Sequence, residues 1–279
     1  MPDIVYRDLT SLEEYAQVVA LEQQIWGPGY VDVVPVPIFA ITVMRGAVLA
    51  GAFADGRMIG FVYSIPGIKH GKPMQWSHML GVVPEFRNDG VGLELKLLQR
   101  ERTLAMGLDL IEWTYDPMQA LNAHLNFTKL GVVVAEYEVN VYGTSNSPLH
   151  AGNPTDRFVA EWNIREPHVI GRLERKRGDL RPRPHQAGDV VAVNDLSAAA
   201  AGRFQACAAV RLDLDARRLA VRIPMGFSEM LLEAPHLALD WRMATRRIFT
   251  SYFARGYRAV DFILDRSNVR GTYLLASSA

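Results

Sequence analysis

The stretch His78–Gly107, HMLGVVPEFRNDGVGLELKLLQRERTLAMG, constrains this chain more than any other. Trp76, His78, Leu80 and Val82 alternate with Ser77, Met79, Gly81 and Val83, a period of two that predicts a strand. Pro84 ends it, because proline has no amide hydrogen for a ladder. Arg87-Asn88-Asp89-Gly90-Val91-Gly92 is a polar turn, after which Leu93, Leu95, Leu97, Leu98, Leu104 and Met106 recur at helical spacing until Gly107. Strand, glycine turn and helix in succession can cradle phosphate. Glycines let the backbone come close, and the first helical amides point outward, unpaired, from an end carrying about half a positive charge. A βα turn with no ligand is the plainer reading of the same residues.

At 279 residues the chain can hold one large domain or two small ones. Its 30 basic and 30 acidic residues balance, so neither nucleic acid nor an anionic membrane is expected as a main partner. The opening MPDIVYRDLT lacks the apolar core of a secretory leader. Val31–Val48, the most apolar region, is broken by Pro35 and Pro37 and carries Asp32 and Arg45, so it is not expected to span a bilayer. The single cysteine, Cys207, excludes an internal disulfide and fits a reducing cytoplasm. It lies in an Ala-rich stretch expected to be helical, and reads as buried filler.

In chain order, Ile4–Asp8 reads as an edge strand. A helix capped by Thr10 or Ser11 follows, with an apolar face of Leu12, Tyr15, Val18, Val19, Ala20 and Ile25, stopped by Gly27-Pro28-Gly29. Val36–Met44 is a second, short helix. Ala47–Ala54 and Met58–Ile65 flank Asp55-Gly56, a strong hairpin signal. Pro66–Pro73 reads as a loop and Gln75–Val83 as the strand entering the glycine turn. Leu108–Tyr115 is a strand, Ala120–Leu130 a helix closed by Gly131, and Val132–Tyr142 a strand. Farther on, PTDRFVAEWNIR, Val190–Asn194 and Ala220–Pro224 suggest strands, Gly171–Gly188 a solvated helix end and loop, Leu237–Arg255 a helix, and Tyr257–Leu264 a final strand.

Val-Val-Pro-x-x-Arg-x-x-Gly-x-Gly resembles the acyl-CoA pyrophosphate motif of the GNAT (Gcn5-related) N-acyltransferase superfamily. The order β-α-α-β-β-β-α-β-α-β over about residues 3–143 resembles the fold of that family. The resemblance implies an α/β (α+β) fold, a mixed and mostly antiparallel sheet flanked by helices, and a catalytic domain over 1–145. Residues 146–279 echo the first half: Val221-Arg-Ile-Pro224 resembles Gly81-Val-Val-Pro84, with a helix, a glycine and a strand after it. They are expected to form a degenerate GNAT-like half, without the phosphate turn, that serves as scaffold or acceptor-site wall.

The resemblance also implies chemistry. Acetyl-CoA or succinyl-CoA would be co-substrate, with no metal, and the acceptor a small-molecule amine. The amides of Arg87, Asn88, Asp89, Gly90, Val91, Gly92 and Leu93 and the charge of Arg87 would hold the pyrophosphate. A side chain at Gly90 or Gly92 is expected to collide with phosphate or turn. The main chain of Leu80 and Val82 would pair with the pantetheine arm, with Asn122 and Asn126 nearby. His78 is a candidate base, since an imidazole near 6.5 suits deprotonating an amine, and Glu112 is the second. The tyrosine that many members use as acid is Phe127 here, leaving Tyr115 or water. Trp26, Tyr30 and Asp32 are candidates for acceptor contact.

The longer run from Ser77 to Gly131, with PTDRF and WRMATRRIF, resembles a two-part subfamily associated with N-acylation of amino acids, notably N-succinylation. An amino-acid carboxylate would need a cation, for which Arg157, Arg242 and Arg246 are candidates. Two other readings stay open: a CoA-binding regulatory module without turnover, and a protein lysine acetyltransferase. A second copy of the chain is an open option as partner.

Overall fold

The computed structural model describes residues 3–27, 30, 32–143, 152–174 and 190–277, with the side chains of 198–201 left aside. Its elements are β1 (Ile4–Asp8), α1 (Leu12–Trp26), α2 (Val36–Val43), β2 (Val48–Ala54), β3 (Arg57–Lys69), β4 (Lys72–Val82), α3 (Val91–Ala105), β5 (Leu110–Tyr115) and α4 (Ala120–Ala123). A π-helical stretch, His124–Leu130, prolongs α4. Then come β6 (Val133–Glu138), β7 (Arg157–Asn163), α5 (Pro167–Leu173), β8 (Val190–Ala192), β9 (Asp195–Ala201) and β10 (Phe204–Ala208). The last elements are β11 (Arg218–Pro224), α6 (Phe227–Glu233), α7 (Pro235–Ala254), β12 (Tyr257–Asp265) and β13 (Arg270–Ser277). From β1 to β6 the order is the one expected from sequence. Two compact units are present, Met1–Trp113 with Asn163–Arg165, and Thr114–Trp162 with Glu166–Ala279.

In the first unit β1, β2, β3 and β4 form an antiparallel meander, and β5 runs parallel beside β4. Both inner hairpins close on two left-handed residues, Asp55-Gly56 (φ 49° and 78°) and His70-Gly71 (φ 49° and 77°). That geometry matches the strands' own twist. The second hairpin corrects the expectation of a loop over Pro66–Pro73, since Pro66–Lys69 pair with Lys72–Gln75. Histidine enters the left-handed region more readily than most residues, but His-Gly is a weaker sequence signal than Asp-Gly. Ser11 and Glu14 cap α1 reciprocally. The helix buries Tyr15, Val18, Leu21 and Glu22, whereas Leu12, at its first position, is 59% exposed and not part of the apolar face. Val18, Phe39, Phe61, Val62 and Leu95 are fully enclosed in the core between α1, α2, α3 and the meander.

In the second unit the strand order is β7-β6-β12-β13-β11-β8, with β9 and β10 as a separate hairpin. The strand at Tyr257 is not the last: β13 follows and pairs antiparallel with both β12 and β11. Strand, helix, strand recurs in β11, α7 and β12, but β13 stands between the two strands, whereas β4 and β5 are direct neighbours. Gly226 has φ −93° and caps α6, so no glycine turn like that at Gly90 is repeated here. Cys207 lies in β10 rather than in a helix, because cross-strand pairing with β9 overrides the weak helical bias of alanine. It is half-buried and accepts a hydrogen bond from Asn194 Nδ2 at 3.3 Å, and burial pushes its thiol pKa up. Pro28, Gly29 and residues 175–189 of the Arg- and Pro-rich stretch lie outside the described residues. No helix among the described residues is long and apolar enough to cross a membrane.

Candidate functional site

The glycine turn lies where the motif places it. Asn88 and Gly90 are left-handed, φ 71° and 90°, and Gly90 is the N-cap of α3. Glycine is required at Gly90 by this backbone. Gly92 differs: a Cβ there would meet Leu80 Cδ2 at 3.8 Å and Val82 Cγ2 at 3.9 Å, ordinary contact. The turn itself therefore tolerates a methyl at Gly92, and a clash there would have to come from a ligand. The amides of Val91 and Gly92 open the helix without an intrahelical acceptor. Arg87 is exposed, and its Nε donates to the Val82 carbonyl at 3.1 Å, which ties the guanidinium to the end of β4.

Below the turn, β4 carries a bulge. Tyr63 of β3 faces Met79 and Ser64 faces Ser77, so His78 is an extra residue in the ladder. Parity changes there, and Ser77, Leu80 and Val82 all turn toward α3. Val83 N–H donates to Ile59 O, so by alternation the peptide groups of Leu80 and Val82 point away from β3. On that edge β4 pairs with β5 only at Gln75–Ile111 and Trp76–Glu112. Past Trp76 the outer edge of β4 has no strand partner among the described residues, and such an edge can accept an extended polar chain.

His78 projects from the bulge, exposed at one side, with its ring edge-on to Tyr63 at 6.0 Å. Desolvation by the surrounding protein holds its pKa below the usual imidazole value, so the neutral form predominates at pH 7. Glu112 is not a solvated strand carboxylate: it is 4% exposed and ion-paired with Lys69. The Trp26 and Tyr30 rings lie 5.2 Å apart, tilted by 39°, and both residues are half-buried, with Trp26 edge-on to Phe61; Asp32 is exposed. Sequence reasoning missed Glu22. It is fully buried on α1, takes the Val34 amide at 3.0 Å on Oε2, and leaves Oε1 without a partner. Burial pushes its carboxyl up to about 7.

The second unit holds the other candidates. Tyr115 is buried against Phe158 and beside the Tyr273 hydroxyl, and burial drives its pKa far above the phenol range. Phe127 is fully buried, edge-on to Tyr273. Asn122 is exposed, while Asn126 is buried and its carbonyl accepts from Gly131 and Val132 amides at the end of the π-helical stretch. Arg157 lies over the Tyr142 ring. Arg242 and Arg246, the other candidates for an acceptor carboxylate, are each already engaged by an internal carboxylate. Arg242, 2% exposed, forms two 2.7 Å bonds with Asp116, and Arg246 binds Asp156 at 2.8 and 2.7 Å. Both charges are neutralised inside the fold, across 126 and 90 residues that no local pattern connects.

The element order, the glycine turn and the parted strands agree. From β1 to β6 the fold is of the GNAT kind. No family model matches this sequence, and no curated protein matches it. Solved structures similar in shape include a GNAT-family acetyltransferase from Streptococcus pneumoniae, with TM-score 0.47 and 15% identity over 57% of this chain and 98% of that one. The ribosomal-protein-S18-alanine N-acetyltransferase of Escherichia coli gives 0.46 and 15%, over 58% and 94%. A PaiA N-acetyltransferase from Thermoplasma acidophilum, solved with coenzyme A, gives 0.40 and 16%, over 58% and 99%. Likenesses this distant carry no weight of their own; the turn, the bulge and the unpaired edge carry the functional reading.

Proposed function

We propose that this chain is an acyl-CoA-dependent N-acyltransferase, moving an acetyl or succinyl group from CoA to the amine of a small molecule in a reducing cytoplasm. The observation that carries this is one conjunction within the first unit. A glycine turn at a helix N-terminus stands at the end of a bulged strand whose far edge is unpaired. The amides of residues 87–93 with Arg87 would hold the pyrophosphate, and the peptide groups of Leu80 and Val82 the pantetheine arm. His78 serves as base in this reading, because it is neutral at pH 7 and partly open to solvent. Glu112 ranks below it, since the Lys69 ammonium already stabilises its charged form. An amino acid is the first acceptor to try, with its carboxylate met by a cation other than Arg242 or Arg246.

One observation favours the second reading, a CoA-binding module without turnover: Glu112, Arg242 and Arg246 are all engaged in internal ion pairs. Thiol release from acetyl-CoA and succinyl-CoA over L- and D-amino acids, polyamines and a lysine peptide separates the two. Turnover with any amine is expected, with an acid-side limb below pH 6.5 that His78→Ala removes, because the lowered pKa keeps the imidazole neutral to lower pH. CoA retention with silence across the panel would favour the module.

A further inference from the structure

Lys96 of α3 is 2% exposed, and among the described residues no carboxylate pairs with it. Its Nζ donates to Ser77 Oγ at 2.9 Å and to Gln99 Oε1 at 3.0 Å, and it sits 3.6 Å from the centre of the Trp113 ring. Gln99 Nε2 also reaches Ser77 Oγ, at 3.0 Å, closing a ring of three side chains. The place of this ring is specific. The last pair between β4 and β5 is Trp76–Glu112, so Ser77 and Trp113 are the first residues past it, and the Lys96 ammonium lies between them.

The ring holds either charge state without losing a hydrogen bond. A charged Lys96 donates to Ser77 and Gln99 and directs its third N–H at the indole face. A neutral Lys96 donates to Gln99 and accepts the Ser77 hydroxyl proton, while Gln99 donates to Ser77. A buried lysine serving only the core would be expected to have a carboxylate beside it. Here desolvation lowers the pKa well below that of a free lysine, which makes the proton easier to give up.

Resting on the acyltransferase reading, we propose that Ser77 is the residue that protonates the departing CoA thiolate, and that Lys96, positioned by Gln99, resupplies its proton. The deprotonated amine attacks the thioester carbonyl carbon, the C–N bond forms and the C–S bond breaks with its electron pair on sulfur. The Ser77 hydroxyl proton passes to sulfur as a Lys96 N–H proton passes to Ser77 Oγ. The second proton shed by the nitrogen goes to solvent, and Lys96 regains one from solvent through Ser77. This supplies the acid that Phe127 cannot.

The test reads Lys96 directly. With only five lysines in the chain, 13C-labelled ε-carbons can be assigned, Lys96 by the loss of its signal in Lys96→Met. The Lys96 resonance is expected to differ between the complexes with CoA and with desulfo-CoA, and Ser77→Ala should abolish that difference while leaving CoA affinity unchanged. Thiol release should fall about 10²-fold in Ser77→Ala and Lys96→Met, at the lower end for loss of a general acid, with KM for acyl-CoA little altered. Equal Lys96 signals in the two complexes, with CoA bound, would overturn this proposal alone. Failure of CoA to bind the wild-type chain would overturn the acyltransferase reading and this proposal with it. If Lys96→Met does not fold, Lys96→Arg supplies the assignment and Ser77→Ala decides.

Discussion

At the scale of single residues, the two glycines of the turn make different demands. Gly90 sits at φ 90°, where a side chain costs about 1–2 kcal/mol, whereas a Cβ on Gly92 finds only ordinary contacts. Gly90→Ala should therefore lower both unfolding stability and CoA affinity. Gly92→Ala should leave stability unchanged and lower CoA affinity alone. Equal stability losses in the two variants, followed by urea denaturation, would contradict this account of the turn. Glu22 gives a second residue-scale prediction. Its folded carboxyl keeps a proton up to about pH 7, while the unfolded one loses it in the ordinary carboxylate range. The unfolded state then binds fewer protons, so native stability declines as pH rises from about 4.5 to 7. Glu22→Gln removes that decline. It should be more stable than the wild type at pH 8 by about 3 kcal/mol, with the gap closing toward pH 5; a gap constant with pH would refute the burial argument.

At the scale of elements, legibility followed the range of the interaction. The β2–β3 hairpin was readable from Asp55-Gly56, and the start of α1 from its pair of capping choices, Thr10 or Ser11, because each signal lies at the element it specifies. The β3–β4 hairpin was missed because His70-Gly71 is a weaker turn signal than Asp-Gly and Pro66 reads as a strand breaker. The β10 strand was missed because alanine favours helix and the pairing with β9 is tertiary. The turn, the strand and the helix of the candidate site were visible for the first reason. The bulge at His78 and the ring of Ser77, Lys96 and Gln99 were not, since both depend on how β4 meets β3 and α3. The Asp116–Arg242 pair belongs to this scale too, fastening α7 to the segment after β5. Arg242→Met should cost about 3–5 kcal/mol by leaving Asp116 buried and unpaired, and adding Asp116→Asn should recover much of it. A single-variant loss no larger than the double variant's would show that the pair is not what holds α7.

At the scale of the whole molecule, balanced charge favours neither nucleic acid nor an anionic membrane as a main partner, and a single cysteine leaves no internal disulfide. The first unit carries the features on which function is proposed: a bulged strand, an edge left open past Trp76, and a helix N-terminus beyond it. The second unit is organised around buried aromatic contacts and paired charges, among them Phe158 against Phe249 at 4.6 Å and Arg246 against Asp156. The account's central claim is that the turn at residues 87–93 holds the pyrophosphate of CoA. Calorimetric titration of CoA into the wild-type and Arg87→Ala chains tests it most directly. Binding to the wild type, weakened in Arg87→Ala by about 1.5–3 kcal/mol, the range for a hydrogen bond to a charged group, is the predicted result. No binding to the wild type, or the same affinity in both chains, would contradict it.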